Sequence, residues 1–328
     1  MTDLYPLFCK PVLKDYIWGG RNLTDLGRVL PAGKKVAESW EIAAHPDGMS
    51  TVENGIYTGQ TLQALTEQFG EGLVGTRGEW ALSRGRFPLL VKLLDANQSL
   101  SVQVHPDDDY AQMYAGGDLG KAEMWVVLRA EPNAAIIYGL SKNATPEQLQ
   151  QAIQTGKLEK YLNRLPIKVG DHVCIPAGTV HALLGGAVVA EIQQNSNTTY
   201  RVYDWNRMGG DGKPRELQID DALRVISYDQ VGLRLPQPRL VEKTENWTRE
   251  ELCNNRYFTV ERVKMQAGAS LPGNCDGKTL EIWGVIKGRA NVAGNPLDAV
   301  KFVLLPARLG AFSVEAPEDG VLLRAYLS

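Results

Sequence analysis

The chain has 328 residues, 44% of them hydrophobic and 22% charged, which is ordinary for a soluble globular protein and long enough for two domains with separate cores. Its 35 Lys and Arg against 38 Asp and Glu leave a net charge of −3 with no basic stripe, so nucleic acid is not expected as a partner. The opening stretch MTDLYPLFCKPVLKDYIWGG lacks a signal-peptide pattern, and no apolar run approaches the roughly 20 residues that span a bilayer, so a cytoplasmic protein without a membrane partner is expected. Cys9, Cys174, Cys253 and Cys275 are widely spaced with no CxxC pair. That argues against a disulfide framework and a thiolate zinc site, and fits a reducing compartment.

In chain order, YIWGG at 16–20 and ESWEIAAHPDG at 38–48 read as strand-to-loop segments. TLQALTEQFG at 61–70 predicts a short helix capped by Thr61 and ended by Gly70. FPLLVKLLD at 87–95 is a nearly continuous apolar run, as in a strand buried on both faces. It feeds, through the turn-forming ANQS, the stretch SLSVQVHPDDDYAQMYAGGDLGKAEMW at 99–125. There Ser101, Gln103 and His105 alternate with Leu100, Val102 and Val104, so a strand presents its polar set on one face. A second alternation puts Lys121, Glu123 and Trp125 on one side. Asp107 to Asp109 read as a helix-start cap rather than a second acidic site.

ATPEQLQQAIQTG at 144–156 predicts a helix with Thr145 as N-cap and Pro146 in its first turn, followed by a short helix at 158–162. Strands return from Pro166. In GDHVCIPAGTVH at 170–181 a Pro176–Ala177–Gly178 turn leads at once to His181. Glu191 and Arg201 fall on the polar faces of the next two strands. Residues 206–215 read as a loop, 216–226 as a helix, and LRLPQPRLVEKTEN at 233–246 as a linker. Beyond it come more short strands and no histidine. His45 reads as bracing a turn, His172 as structural, and Trp18 and Trp40 as pocket wall or core.

Gln103, His105, Glu123 and His181 read together as one metal site, because imidazole nitrogens with carboxylate and amide oxygens suit a borderline divalent ion. With one carboxylate among four ligands the ion keeps a charge of about +1, which it can use on a substrate oxygen. Many short strands with few helices give a mainly β fold of the jelly-roll or barrel kind.

Gly170, Pro176, Gly178 and His181 match most of the second cupin signature, G(X)5PxGxxH. More narrowly, WGG at 18–20, ESWEI at 38–42, LSVQVHPDD at 100–108, GKAEMW at 120–125, PAGTVHAL at 176–183 and EIQQNSNTTYRVYDWNR at 191–207 resemble type I mannose-6-phosphate isomerase in its short bacterial form. The resemblance covers about residues 5–230. It implies two cupin-type jelly-roll barrels with a few short helices, a catalytic domain over 1–238 and a metal-free cupin over 239–328. It implies one zinc ion per chain on Gln103, His105, Glu123 and His181, with Arg201, Lys121 and Glu191 as catalytic residues. Ser101, Lys213 and Trp18 are then expected to bind a small phosphosugar. Asn197 stands where the family carries an Asp proposed to move protons, and an amide cannot be a general base at neutral pH. The expected activity is interconversion of mannose 6-phosphate and fructose 6-phosphate through an enediol, by a monomer or small homo-oligomer. Two rivals stand beside it: another cupin metalloenzyme such as an oxygenase, or a non-catalytic sugar-phosphate binder.

Overall fold

The computed structural model describes residues 4–209 and 212–328. Gly210 and Asp211, part of the loop expected at 206–215, lie outside the described residues. The fold is mainly β, with a few short helices.

Two sets of antiparallel sheets follow one another along the chain. In the first, a six-stranded sheet runs in the order His172–Ile175, Glu123–Ala130, Ala187–Gln194, Leu89–Ala96, Glu38–Ile42 and Val12–Lys14. It faces a five-stranded sheet ordered Leu162–Pro166, Ala135–Leu140, His181–Leu183, Val102–Val104 and Tyr200–Tyr203. Leu94, Trp125 and Val189 from the one meet Ile136 and Leu183 from the other, as two inner faces of a jelly roll do.

In the second set, Arg239–Lys243, Trp247–Asn254, Phe258–Met265, Gly320–Leu327, Glu281–Lys287 and Phe302–Leu305 form another six-stranded sheet. Its partner sheet is ordered Ser270–Cys275, Gly310–Glu315, Ala290–Val292 and Asn295–Leu297. The stretch expected as linker thus contains a strand, Arg239–Lys243, because its backbone finds an edge to pair with at Thr248–Glu251.

The two six-stranded sheets pack back to back. Val91, Leu93, Met124 and Val126 share one core with Phe258, Ile282, Phe302, Leu304, Leu323 and Leu327. At about 1.5–3 kcal/mol per large apolar side chain, these last six alone contribute on the order of 10 kcal/mol, so the halves cohere as one body. This burial on both faces explains why the two central strands are largely apolar, with a few enclosed polar residues such as Lys92 and Glu191: every residue of Leu89–Ala96 and of Ala187–Gln194 is buried.

The helices form where their caps predict. Thr61 accepts from the Ala64 N–H ahead of Leu62–Phe69, and Thr145 makes a capping box with Gln148 ahead of Pro146–Gln154. Asp107 accepts from the Tyr110 N–H and starts Asp108–Tyr114. One expectation fails: Cys174 and Cys253 form a disulfide, with Cα atoms 5.6 Å apart across 79 residues of chain. They meet because the backs of the two six-stranded sheets meet, which residue spacing cannot reveal. Cys9 and Cys275 are free and buried. Among the described residues no helix is long and apolar enough to cross a membrane.

Candidate metal centre

The site lies between the two sheets of the first set. Antiparallel register places His181 and Arg201 on either side of Gln103, while Glu123 and Glu191 come from neighbouring strands of the facing sheet. The turn before His181 is pinned by the Gly178 N–H donating to the His105 carbonyl at 2.9 Å. Gly178 has φ +85, and a Cβ there would stand 2.3 Å from Ser227 Oγ, so the turn needs glycine.

Ligand atoms of His105, Glu123 and His181 all lie within 4.8 Å of one another, and all three residues are buried. His105 Nε2 is 3.4 Å and His181 Nε2 3.1 Å from the Glu123 carboxylate, and the Gln103 amide lies 3.5 Å from His181 Nε2. His105 Nδ1 sits 2.9 Å from the Thr198 carbonyl and His181 Nδ1 2.8 Å from that of Thr179. Carbonyls only accept, so each Nδ1 carries the proton and each Nε2 turns its lone pair to the centre.

Lys121 Nζ is 2.7 Å from Glu123 Oε2 and 3.1 Å from His105 Nε2. Lys121 and Glu123 form an ion pair, and both Glu123 oxygens are buried without a hydrogen-bond partner. A buried, unbonded carboxylate facing two imidazole lone pairs and an amide is a donor set that fits a divalent cation of the zinc type. Burial, then the Lys121 charge, pulls the His105 pKa down to about 3, so the ring stays neutral as a ligand must. Burial works to raise the Glu123 pKa, yet the Lys121 charge beside it holds it well below the usual carboxylate range.

A pocket opens over these residues, and Trp18, Ser101, Gln103, Lys121, Glu191 and Arg201 all line it. Of the residues expected there, Lys213 is the exception: it is exposed on its loop and does not line the pocket, whereas Arg215 does. The Gly209 N–H donates to the Lys213 carbonyl, and Arg215 is held by Asp204, which accepts from its Nε at 2.7 Å.

Glu38 and Lys92 also line the pocket and were missed from the sequence. Lys92 Nζ lies 3.5 Å from Glu38 and 3.4 Å from Glu191, over the Trp40 ring. A single lysine inside the apolar run FPLLVKLLD was the available signal. Burial raises the Glu191 pKa and the nearby Glu123 charge raises it further, against the pull of Lys92 and Lys121. The Trp125 indole donates to its other oxygen at 2.8 Å.

Asn197 lines the pocket and donates to Asp47 at 2.7 Å, so a carboxylate stands directly behind the amide. His45 braces its turn as expected, accepting from the Asp47 N–H, and also approaches Asp118 at 3.5 Å. Asp118 accepts from Ser196 and Thr198 hydroxyls, which steadies the Thr198 carbonyl behind His105.

The family model "Phosphomannose isomerase type I, catalytic domain" matches residues 6–123. Mannose-6-phosphate isomerase ManA of Bacillus subtilis is 39% identical over 94% of this chain and 96% of its own. The crystal structure of the mannose 6-phosphate isomerase from Bacillus subtilis superposes with a TM-score of 0.87 at 36% identity, covering 98% of this chain and 99% of that one. A zinc-bound mannose 6-phosphate isomerase, 18% identical, shares the fold at a TM-score of 0.77 over 99% of this chain and 100% of its own. On this identity and coverage, the chain belongs to the type I mannose-6-phosphate isomerase family.

Proposed function

We propose that this chain interconverts mannose 6-phosphate and fructose 6-phosphate, with residues 1–238 carrying the chemistry and residues 239–328 serving as a packing partner. The observation that carries the reading is the buried His105–Glu123–His181 cluster, with its unbonded carboxylate, at the base of a pocket that also holds Lys121, Glu191 and Arg201. One zinc ion per chain, held by these three and Gln103, would polarise a substrate oxygen.

The reaction moves a proton from C2 to C1 and a second between the two oxygens, and negative charge builds on those oxygens on the way. Arg201, beside Gln103 in register, is a fixed cation for that charge. Glu191 and Lys121 are our candidates for carrying the proton. The raised Glu191 pKa suits a group that must both accept and release one, and Lys92 at 3.4 Å steadies its ionised form. Trp18 forms pocket wall, and Ser101 with Arg215 would receive the phosphate.

Four cations line the pocket, Arg201, Lys121, Arg215 and Lys92, against two carboxylates, Glu38 and Glu191, and this balance favours an anionic sugar over the substrate of an oxygenase. Phosphosugars do not cross bilayers unaided, which supports work in the cytoplasm. We take the working unit as a monomer or small homo-oligomer, since the exposed large apolar residues, such as Val29, Ile56 and Met113, come from separate stretches.

A coupled assay for fructose 6-phosphate, run before and after exhaustive chelation, tests this. Activity lost with the metal and restored by zinc is the expected result. A zinc-loaded protein that forms no product, or a metal-free one that keeps full activity, would refute it.

A further inference from the structure

We propose that Tyr257, from the second half of the chain, is a positioning residue for catalysis: through Asp108 it fixes the backbone that carries Lys121 and Glu123. This rests on the isomerase reading of the site. Asp108 follows His105 by three residues, and its neighbour Asp107 already caps the helix, so the Asp108 carboxylate is released for other contacts. It is buried and uses both oxygens. Oδ1 accepts from the Gly120 N–H at 2.8 Å and from Gln194 Nε2 at 3.1 Å, and Oδ2 accepts from the Tyr257 hydroxyl at 2.6 Å. Gln194 Oε1 in turn accepts from the Ala122 N–H at 2.9 Å, and the Lys121 N–H donates to the Pro106 carbonyl at 2.9 Å.

Every backbone N–H from Gly120 to Ala122 is therefore held by this frame, just before Glu123. The approach is close enough to demand glycine: a Cβ on Gly120 would lie 2.5 Å from Asp107 C and Asp108 N. Tyr257 is itself held firmly, with the Trp80 ring 5.0 Å away edge-on and its own N–H on Asn255 Oδ1. Burial and the bond to Asp108 raise its pKa, so the phenol remains a donor. Without that donor, the Asp108 carboxylate is free to turn toward Arg84, now 3.9 Å away, and to slacken on Gly120.

The test is Tyr257→Phe in the full chain, with Tyr326→Phe as control. Tyr326 donates to Glu261 at 3.1 Å, a bond of the same kind within the second half that leads nowhere near Lys121. Loss of a group that orients metal ligands from behind costs about 10- to 100-fold in activity or metal affinity. Tyr257→Phe is expected to lower kcat about tenfold with KM within about twofold, and to weaken zinc binding in competition with a chromophoric chelator by a similar factor. Tyr326→Phe is expected to lower the thermal midpoint while leaving kcat and zinc affinity unchanged. Should Tyr257→Phe fail to fold, Asp108→Asn must show the same kcat loss with KM kept. Wild-type kcat and zinc affinity in Tyr257→Phe, or in Asp108→Asn in its place, would overturn the inference, as would equal losses in Tyr326→Phe. If the wild type itself lacks isomerase activity, it is the reading of the site that fails, and the zinc titration still decides the role of Tyr257.

Discussion

Glu123 shows how far single residues set the chemistry here. Its carboxylate is buried beside one lysine and two imidazoles, so its negative charge is retained at the cost of desolvation that only nearby cations can offset. Arg201 plays the complementary part. It is partly buried on the strand beside Gln103, and its pKa is lowered by burial and then by the neighbouring Arg215. Arg201→Lys keeps the positive charge but loses the planar fork of donors. If that fork acts on charge present only in the transition state, kcat falls by about 10² to 10³ with KM little changed, the size seen when one preorganised donor is removed. Steady-state kinetics give the answer: an unchanged kcat with KM raised tenfold or more would move Arg201 from the reacting oxygens to the phosphate.

Among the elements, the short strand His172–Ile175 connects the site to the rest of the molecule. It pairs with Met124 and Glu123 on one edge and turns His172 and Cys174 toward the second half. His172 is buried with Nε2 unbonded, and burial, then the Arg262 charge, lowers its pKa to about 4. The unfolded chain, with an ordinary histidine near 6.5, therefore binds more protons than the folded one between about pH 4 and 6.5. Stability from this residue is complete above that window and is lost as pH falls through it. His172→Gln should reduce the drop in thermal midpoint between pH 7 and 5; a variant whose drop equals that of the wild type would exclude the contribution.

At the scale of the molecule, the second half repeats the layout of the first with its charges changed. Glu281–Ile282–Trp283 opens a strand as Glu123–Met124–Trp125 does, each beside the last strand, in chain order, of its own six-stranded sheet. Where Lys92 faces Glu191, Glu261 faces Arg324, and Arg324 also holds Glu281. A guanidinium thus satisfies the carboxylate that a cation would need, in a half without histidine. The Cys174–Cys253 disulfide ties this half to the first. Cross-links of this kind stabilise by about 2–4 kcal/mol, so Cys253→Ser should lower the thermal midpoint, and a reducing agent should lower the wild type to the same value. Four free thiols in the unfolded, unreduced protein would rule the bond out.

The chain by itself determined those features that depend on neighbours in sequence. Alternation placed Gln103 and His105 on one face, caps at Thr61 and Thr145 started helices, and Pro176–Ala177–Gly178 marked the turn that delivers His181. Such signals are local because backbone geometry repeats every two residues in a strand and every 3.6 in a helix. The family motifs reached further, to the catalytic roles expected of Lys121, Glu191 and Arg201. What only the tertiary structure decided are pairings between distant strands: Lys92 with Glu38, Arg215 rather than Lys213 at the pocket, Asp47 behind Asn197, Tyr257 on Asp108, and Cys174 with Cys253. Each depends on which sheet faces lie together. A buried lysine and a surface lysine, or a paired and a free cysteine, are spelled alike in sequence, and they differ only once long-range packing has brought their partners within a few ångströms.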